Sequence, residues 1–213
     1  MSTSELFLRQ ATVFISALAY WAGVGVQARR IRRHIGRSPN VKPRGNKERF
    51  LWAGWILVVL GWIIQPFVVG SGSTPPWLRL NTSLPHWLTL IAGGLLVLVG
   101  HVGTLQCYAA MGDAWRMGVN HKEKNELVTR GPYRRVRHPI YLFQIVLLAG
   151  AACLLPTVLS LVIMVVHIVC VWIKALDDES YLLAVQGQSY RDYMNRTGRL
   201  VPASGGQKGE ESR

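Results

Sequence analysis

The chain has 213 residues, of which half are apolar, and a formal net charge of +13. Such a charge is typical of soluble nucleic-acid-binding proteins, but several apolar runs reach the roughly 20 residues that span a bilayer. These runs exclude that class, and the basic residues beside them favour contact with a membrane surface. The three Cys form no CxxC pair, so neither a disulfide framework nor a zinc site is indicated.

Apolar segments recur along the chain and predict an all-α, polytopic membrane protein of about five transmembrane helices. The segments are Ala11–Ala28, Phe50–Val69, His86–Tyr108, Ile140–Leu155 and Thr157–Ile173. The fourth segment is short for a full span. Because only Pro156 separates it from the fifth, we expect the two segments to form a tight helical hairpin.

Gly23–Ala28, in the first segment, has the GxGxxA spacing of a dinucleotide-binding fingerprint. That fingerprint requires a preceding strand and a βαβ unit, and the surrounding sequence predicts neither. Small residues in membrane helices usually serve helix packing, and we interpret these residues in that way.

The positive charges predict an orientation in the membrane. Nine Lys/Arg lie in the linker 29–49, seven in the loop 109–139 and six from Lys174 onward, whereas Arg9 and Arg79 fall on the opposite side. The positive-inside rule therefore places both basic loops and the C-terminus in the cytoplasm, with the N-terminus outside.

The stretch LVTRGPYRRVRHPIY, residues 127–141, lies between apolar segments. Gly131-Pro132 predicts a change of chain direction, and Pro139 disfavours helical geometry at the preceding residue while suiting the first turn of a helix. The stretch holds four polar side chains at the mouth of an apolar helix: Tyr133, Arg137, His138 and Tyr141. A purely structural loop needs the Gly and the Pro, but it does not need an imidazole and two phenols.

A second polar segment, residues 174–193, follows the last apolar segment on the same side. We expect the last helix to continue through Asp177, Asp178 and Glu179 and to end at Gly187. The hairpin would then bring His138 and Tyr141 beside these carboxylates. Three acidic residues alone indicate only a solvated helix end, but together with the loop they predict a site for a cationic ligand.

RGPYRRVRHPIY, followed about 35 residues later by DDESYLLAVQGQSYRDYMNRTGRLVP, resembles the isoprenylcysteine carboxyl methyltransferase family and its relatives. These are integral membrane methyltransferases that use S-adenosylmethionine. The resemblance covers about residues 112–202. It implies methyl transfer at the cytoplasmic membrane face to a lipophilic acceptor, such as a prenylcysteine-like carboxylate, a lipid or a small lipophilic molecule.

The resemblance also implies roles for individual residues, in a cofactor pocket formed by the loop before helix 4 and the C-terminal helix. Cofactor contacts are implied for Asn120, Leu127, Val128, Tyr133, His138, Tyr141, Asp178 and Glu179. Catalytic roles are implied for Arg137, His138 and Tyr141, with Arg137 bracing the acidic segment. Lys174 falls where the carboxyl methyltransferases use an Arg to orient the substrate carboxylate.

Three positions depart from the family pattern. Phe143 replaces a Gly, which predicts a change in the pocket wall or in helix packing, and Asp178 replaces the first of two Glu. Lys174 in place of Arg loses bidentate carboxylate geometry. The cofactor role fits these changes better than a prenylcysteine carboxylate as the acceptor.

We therefore divide the chain into N-terminal transmembrane helices 1–3 (residues 1–110, with the cytoplasmic linker 29–49), a methyltransferase catalytic region (111–202) and a disordered tail (203–213). We expect membrane lipids and a lipophilic substrate as partners, with no nucleic acid and no metal. Two alternatives remain: a membrane reductase of related scaffold with a nicotinamide cofactor, and a non-catalytic membrane protein. The acidic residues at 178–179 and the lack of a phosphate-binding glycine loop argue against the reductase.

His101 and His167 lie within apolar segments. Ionisable groups inside a membrane are candidates for function. Isolated histidines more often bridge helices by hydrogen bonds, and the sequence leaves both interpretations open.

Overall fold

The structure is a computed structural model that describes residues 1–36, 45–70, 74–81, 83–115 and 127–203. Within these ranges the regular structure is helical, and an isolated bridge joins Val136 to Gly198. The α-helices are α1 (Thr3–Ile35), α2 (Asn46–Val68), α3 (His86–Met111), α4 (Pro139–Leu154), α5 (Val158–Gln186) and α6 (Gln188–Arg196). Short 3₁₀ turns occupy Pro76–Leu78, Gly112–Ala114 and Gly131–Arg134. The all-α prediction is confirmed.

Four of the described helices, α1, α2, α3 and α5, are long and apolar enough to cross a membrane. Helix α4 has 16 residues and is therefore about 24 Å long, less than the hydrocarbon thickness of about 30 Å. The five predicted segments thus become four long helices and one short one. Large apolar side chains such as Leu57, Leu98 and Val165 are exposed on the outside, as a surface in contact with lipid requires.

Helix α1 is longer than the first apolar segment. It continues through the basic residues that follow and ends at Gly36, whose φ of 68° is left-handed. Arginine is a good helix former, and Gly36 is the first residue after the apolar run that ends a helix readily. The first part of the predicted linker is therefore helical, whereas residues 37–44 lie outside the described ranges. Gly23–Ala28 lies inside α1, so the fingerprint spacing sits within a helix.

Helices α3 and α4 lie very close together because glycines at their interface remove side chains. A Cβ added to Gly93 would lie 2.9 Å from the Gly150 carbonyl oxygen, and one added to Gly150 would lie 2.9 Å from the Gly93 carbonyl oxygen. The two backbones are thus in direct contact, which is the approach that small residues permit between membrane helices.

Helices α4 and α5 form the hairpin predicted at Pro156. Thr157 caps α5 by accepting a hydrogen bond from the Ser160 N–H at 3.1 Å. Helix α2 runs antiparallel to α5: Lys47 pairs with Asp177 at one end, and Ser160 donates to Gln65 Oε1 at 2.8 Å at the other. We call the end of the bundle that contains Lys47 and Asp177 the site end.

The opposite end is closed by Arg9, whose side chain is 1% exposed. Its guanidinium pairs with Glu5 at 2.9 Å and donates to Thr89 Oγ1 at 3.1 Å and to the Leu154 carbonyl at 3.0 Å. It also donates to the carbonyl of His86. One side chain therefore ties α1 to α3 and to the end of α4. The predicted division of the chain at residue 110 stays a prediction.

Candidate active site

A cavity of about 310 Å³ extends from the site end into the middle of the bundle, among α1, α2, α4 and α5. Small-molecule sites usually occupy about 300–1,000 Å³. We call the part near the site end the mouth half; its walls include Leu127, Val128, Tyr133, Arg137, His138, Tyr141, Asp178, Tyr190 and Tyr193. The part inside the bundle is the deep half; its walls include Tyr20, Trp21, Trp55, Trp62, Gln144, Leu148 and His167.

The loop before α4 is fixed against the end of α3. Gly131 has a φ of 60°, and a Cβ at that position would lie 3.1 Å from the Ala110 Cβ, so the turn requires glycine. Arg130 Nε donates to the Ala110 carbonyl at 2.9 Å. These contacts place the 3₁₀ turn that carries Tyr133 at the cavity wall.

The same loop pairs with the segment that follows α6. The His138 N–H donates to the Arg199 carbonyl at 3.0 Å, and the Arg137 N–H donates to the Gly198 carbonyl at 2.8 Å. Tyr193 Oη donates to the Tyr133 carbonyl at 2.7 Å. Burial raises the pKa of Tyr193 to about 12, so this phenol stays protonated and able to donate at neutral pH.

Glu179 lies behind the cavity wall and is 4% exposed. Its Oε1 accepts from Arg137 Nε at 2.9 Å, and its Oε2 accepts from Arg199 Nη2 at 2.8 Å. The hydrogen bond to Glu179 raises the pKa of Arg199 above its ordinary value. His138 Nε2 lies 3.3 Å from Oε1. Glu179 thus joins α5 to the loop before α4 and to the C-terminal segment.

Arg137 reaches both sides of this wall. It lines the cavity, pairs with Glu179 and donates to the carbonyls of Met194, at 3.1 Å, and of Thr197. Arg137 therefore contacts the acidic segment that the resemblance implies it braces.

Asp178, unlike Glu179, lines the cavity. Tyr141 Oη donates to Asp178 Oδ2 at 2.9 Å, and Lys174 pairs with Asp178 Oδ1 one helical turn away. The rings of His138 and Tyr141 are stacked, with centroids 5.5 Å apart and planes 11° from parallel. The mouth half therefore presents a carboxylate beside two parallel rings.

The structure brings most of the predicted site residues together. Six of the predicted cofactor residues line the mouth half: Leu127, Val128, Tyr133, His138, Tyr141 and Asp178. Glu179 and Lys174 do not line the cavity and reach it through Arg137 and Asp178, respectively. Asn120 lies outside the described residues. The roles themselves stay predictions.

The sequence does not predict Arg199 as a site residue, nor the deep half apart from the functional role that it leaves open for His167. A signal for part of the deep half was present, because Trp55, Val58, Val59 and Trp62 recur at i, i+3, i+4 and i+7 and share one face of α2. His101 hydrogen-bonds to Ser16 at 3.0 Å and so bridges α3 and α1, whereas His167 lines the cavity.

Residues 88–187 match the family model of the phospholipid methyltransferases. The resemblance to this group of membrane methyltransferases is confirmed. The matched region runs from the start of α3 through α5 and includes His138, Tyr141 and Asp178. A nickel-cobalt-cadmium resistance protein, NccN of Alcaligenes xylosoxydans xylosoxydans, is 25% identical over 126 residues, or 59% of this chain. The similarity spans 58% of the length of that relative.

Proposed function

We propose that this integral membrane protein transfers a methyl group from S-adenosylmethionine to a lipophilic acceptor, a lipid or a small lipophilic molecule, at the cytoplasmic membrane face. The observation that supports this most directly is the meeting of Arg137, His138, Tyr141 and Asp178 on one cavity wall, within the region that matches a methyltransferase family. Methyltransferases of this family generally use that cofactor.

The residues of the mouth half complement the chemical groups of the cofactor. Its ammonium and its sulfonium are cationic, and Asp178 supplies a carboxylate at the wall. The stacked rings of His138 and Tyr141 offer aromatic faces, which attract cations. Leu127 and Val128 offer apolar contacts to the adenosyl group, and Arg137 offers a guanidinium to the cofactor carboxylate.

When bound, the cofactor supplies a methyl group that is already activated, so the protein residues mainly hold the reactants and exclude water. Alignment of two reactants contributes roughly 7–11 kcal/mol to such a step. The bond from Tyr141 to Asp178 and the stacking on His138 keep this wall rigid. A carboxylate acceptor needs no base, whereas an amine or thiol acceptor loses a proton, for which His138 is the candidate base.

The distribution of charge supports a cytoplasmic site end. The described part of the linker, the loop before α4 and the C-terminal segment all lie at that end and carry many Lys/Arg. Of the basic residues in the described ranges, the opposite end holds Arg9 and Arg79. The positive-inside rule then places the N-terminus outside.

Titration of S-adenosylmethionine into detergent-purified protein tests the proposal. We expect the His138→Ala and Asp178→Asn variants each to bind the cofactor about tenfold more weakly or worse, because each loses a direct contact. Isothermal titration calorimetry measures the Kd, and thermal unfolding checks that each variant folds.

Asp177→Asn is the matched control. Asp177 neighbours Asp178 in sequence but pairs with Lys47 outside the cavity, so its neutralisation should leave the Kd unchanged. Unchanged cofactor affinity in both test variants would overturn the site assignment. Absence of binding by folded wild-type protein would overturn the proposed activity and make a nicotinamide titration the next experiment.

A further inference from the structure

The deep half of the cavity lies well inside the membrane bundle. Helices α2 and α5 keep one antiparallel register, since Lys47 pairs with Asp177 and a Cβ on Gly54 would lie 2.7 Å from Cys170 Sγ. This register places His167 at the level of α2 between Trp55 and Val58. His167 precedes Asp178 by 11 residues on α5, which is about 16 Å along the helix axis.

Polar atoms without hydrogen-bond partners gather in this half. His167 is 5% exposed, and neither of its ring nitrogens has a partner among the described residues. The indole N–H groups of Trp21, Trp55 and Trp62 and the Oε1 atom of Gln144 are likewise buried without partners in the described parts of the chain. Buried polar groups are normally hydrogen-bonded. The side chains that carry these atoms line one cavity, which therefore indicates a polar ligand group there.

The types of these atoms narrow the chemistry of the ligand group. Indole N–H groups only donate, the Gln144 carbonyl oxygen only accepts, and a neutral imidazole does both. None of the deep-half residues named above is Asp, Glu, Lys or Arg, so a charged ligand group would be desolvated there without an opposite charge. A carbonyl or an ether accepts but cannot donate to the acceptor nitrogen of a neutral His167 or to Gln144. A hydroxyl group both donates and accepts, and it satisfies both kinds of partner.

We propose that the deep half binds a neutral hydroxyl group at the buried end of a lipophilic molecule, and that His167 positions this group by accepting a hydrogen bond from it. The inference rests on the proposed function in taking the molecule to be the methyl acceptor, and it names the class of that acceptor. Binding of the hydroxyl group itself does not require the cofactor. His167 acts here as a positioning residue.

The test compares 4-octylphenol with 4-octylanisole, which has the same chain and ring but an ether that cannot donate. Each compound is titrated into the detergent-purified protein, and quenching of tryptophan fluorescence reports binding because three indoles line the deep half. We expect 4-octylphenol to bind about tenfold more tightly than 4-octylanisole. The anisole cannot donate a hydrogen bond, so it leaves a buried acceptor of the protein unpaired. Charged 4-octylbenzoate should bind more weakly than 4-octylphenol.

Substitutions connect this preference to His167. His167→Leu should bind the phenol and the anisole within about twofold of each other, whereas His167→Asn, which keeps a donor and an acceptor, should restore part of the preference. His101→Leu is the matched control, because His101 is also an intramembrane histidine but pairs with Ser16. It should keep the wild-type preference. Thermal unfolding confirms that each variant folds.

Equal binding of phenol and anisole by the wild-type protein would overturn the inference, and so would a preference that survives His167→Leu. Parallel titration of S-adenosylmethionine keeps the two proposals apart. Phenol preference without cofactor binding supports the hydroxyl pocket and overturns the methyltransferase proposal. Cofactor binding without phenol preference supports the methyltransferase proposal and overturns the hydroxyl pocket.

Discussion

At the scale of single residues, neighbouring carboxylates of α5 have different surroundings. Asp178 faces the cavity, whereas Glu179 is buried between Arg137 and Arg199. Successive residues of a helix point about 100° apart, since 3.6 residues complete a turn. The acidic motif therefore places one carboxylate at the cavity and one in contact with the arginines behind its wall.

We expect Glu179→Ala to destabilise the protein by about 3–5 kcal/mol, because removing one partner of a buried ion pair leaves uncompensated charge. Arg137 and Arg199 would both lose their carboxylate, and the loop before α4 would lose its attachment to α5. The measurement is chemical or thermal unfolding in detergent, combined with the cofactor Kd.

Asp177→Ala serves as the comparison for this substitution. Its pair with Lys47 is exposed, and surface ion pairs contribute about 0–1 kcal/mol. Equal losses of stability in the two variants would contradict the structural role of Glu179.

At the scale of elements, Phe143 on α4 packs into the space left by Gly103 on α3. A Cβ on Gly103 would lie 2.3 Å from the Phe143 ring. The family pattern has Gly at the position of Phe143. The departure noted in the sequence is thus a matter of helix packing, in which a large side chain on one helix meets a small residue on the other.

We expect Gly103→Ala to cost about 1–3 kcal/mol of stability through overpacking. The cost should be smaller when Phe143→Ala is also present, because the clash then disappears. A double-mutant cycle measured by unfolding gives the coupling between the two positions.

Gly94→Ala is the control on the same helix, since a Cβ there would meet no atom within 4 Å of it. It should be neutral or slightly stabilising, given the higher helix propensity of Ala. A cost for Gly103→Ala that is the same with and without Phe143 would refute the packing argument.

At the scale of the whole molecule, the two ends of the bundle differ in structure. Arg9 joins α1, α3 and α4 at one end, and the candidate site occupies the other. We expect Arg9→Met to lower the free energy of unfolding by about 3–5 kcal/mol, because Glu5 and several polar groups lose their partner. The free energy of unfolding of Arg9→Lys should lie between those of the wild type and Arg9→Met. Lysine keeps the positive charge, but its ammonium cannot reproduce the forked geometry of a guanidinium.

Cofactor affinity of the folded Arg9→Met protein should equal that of the wild type. Unfolding and calorimetry on the same preparation measure the two quantities. A weaker Kd in the folded variant would show that the two ends are coupled, which is contrary to this prediction.

The sequence alone was sufficient for the helical class, the hairpin at Pro156 and most of the mouth half. Segment length and hydropathy decide whether a stretch crosses a bilayer, and Gly-Pro and His-Pro act on the backbone beside them. The motif around Arg137 and His138 also carried the family resemblance. These features depend on neighbouring residues or on the thickness of the membrane, so they can be read along the chain.

The tertiary structure alone decided which helix faces meet. It brought Trp55 and Trp62 of α2 and His167 of α5 to one cavity, turned Glu179 away from that cavity, and matched Phe143 to Gly103. A membrane helix is apolar on its lipid face as well as on its protein face, so hydropathy does not indicate which face is inside. That choice comes from packing between residues that are far apart in sequence, and it determined the deep half of the site.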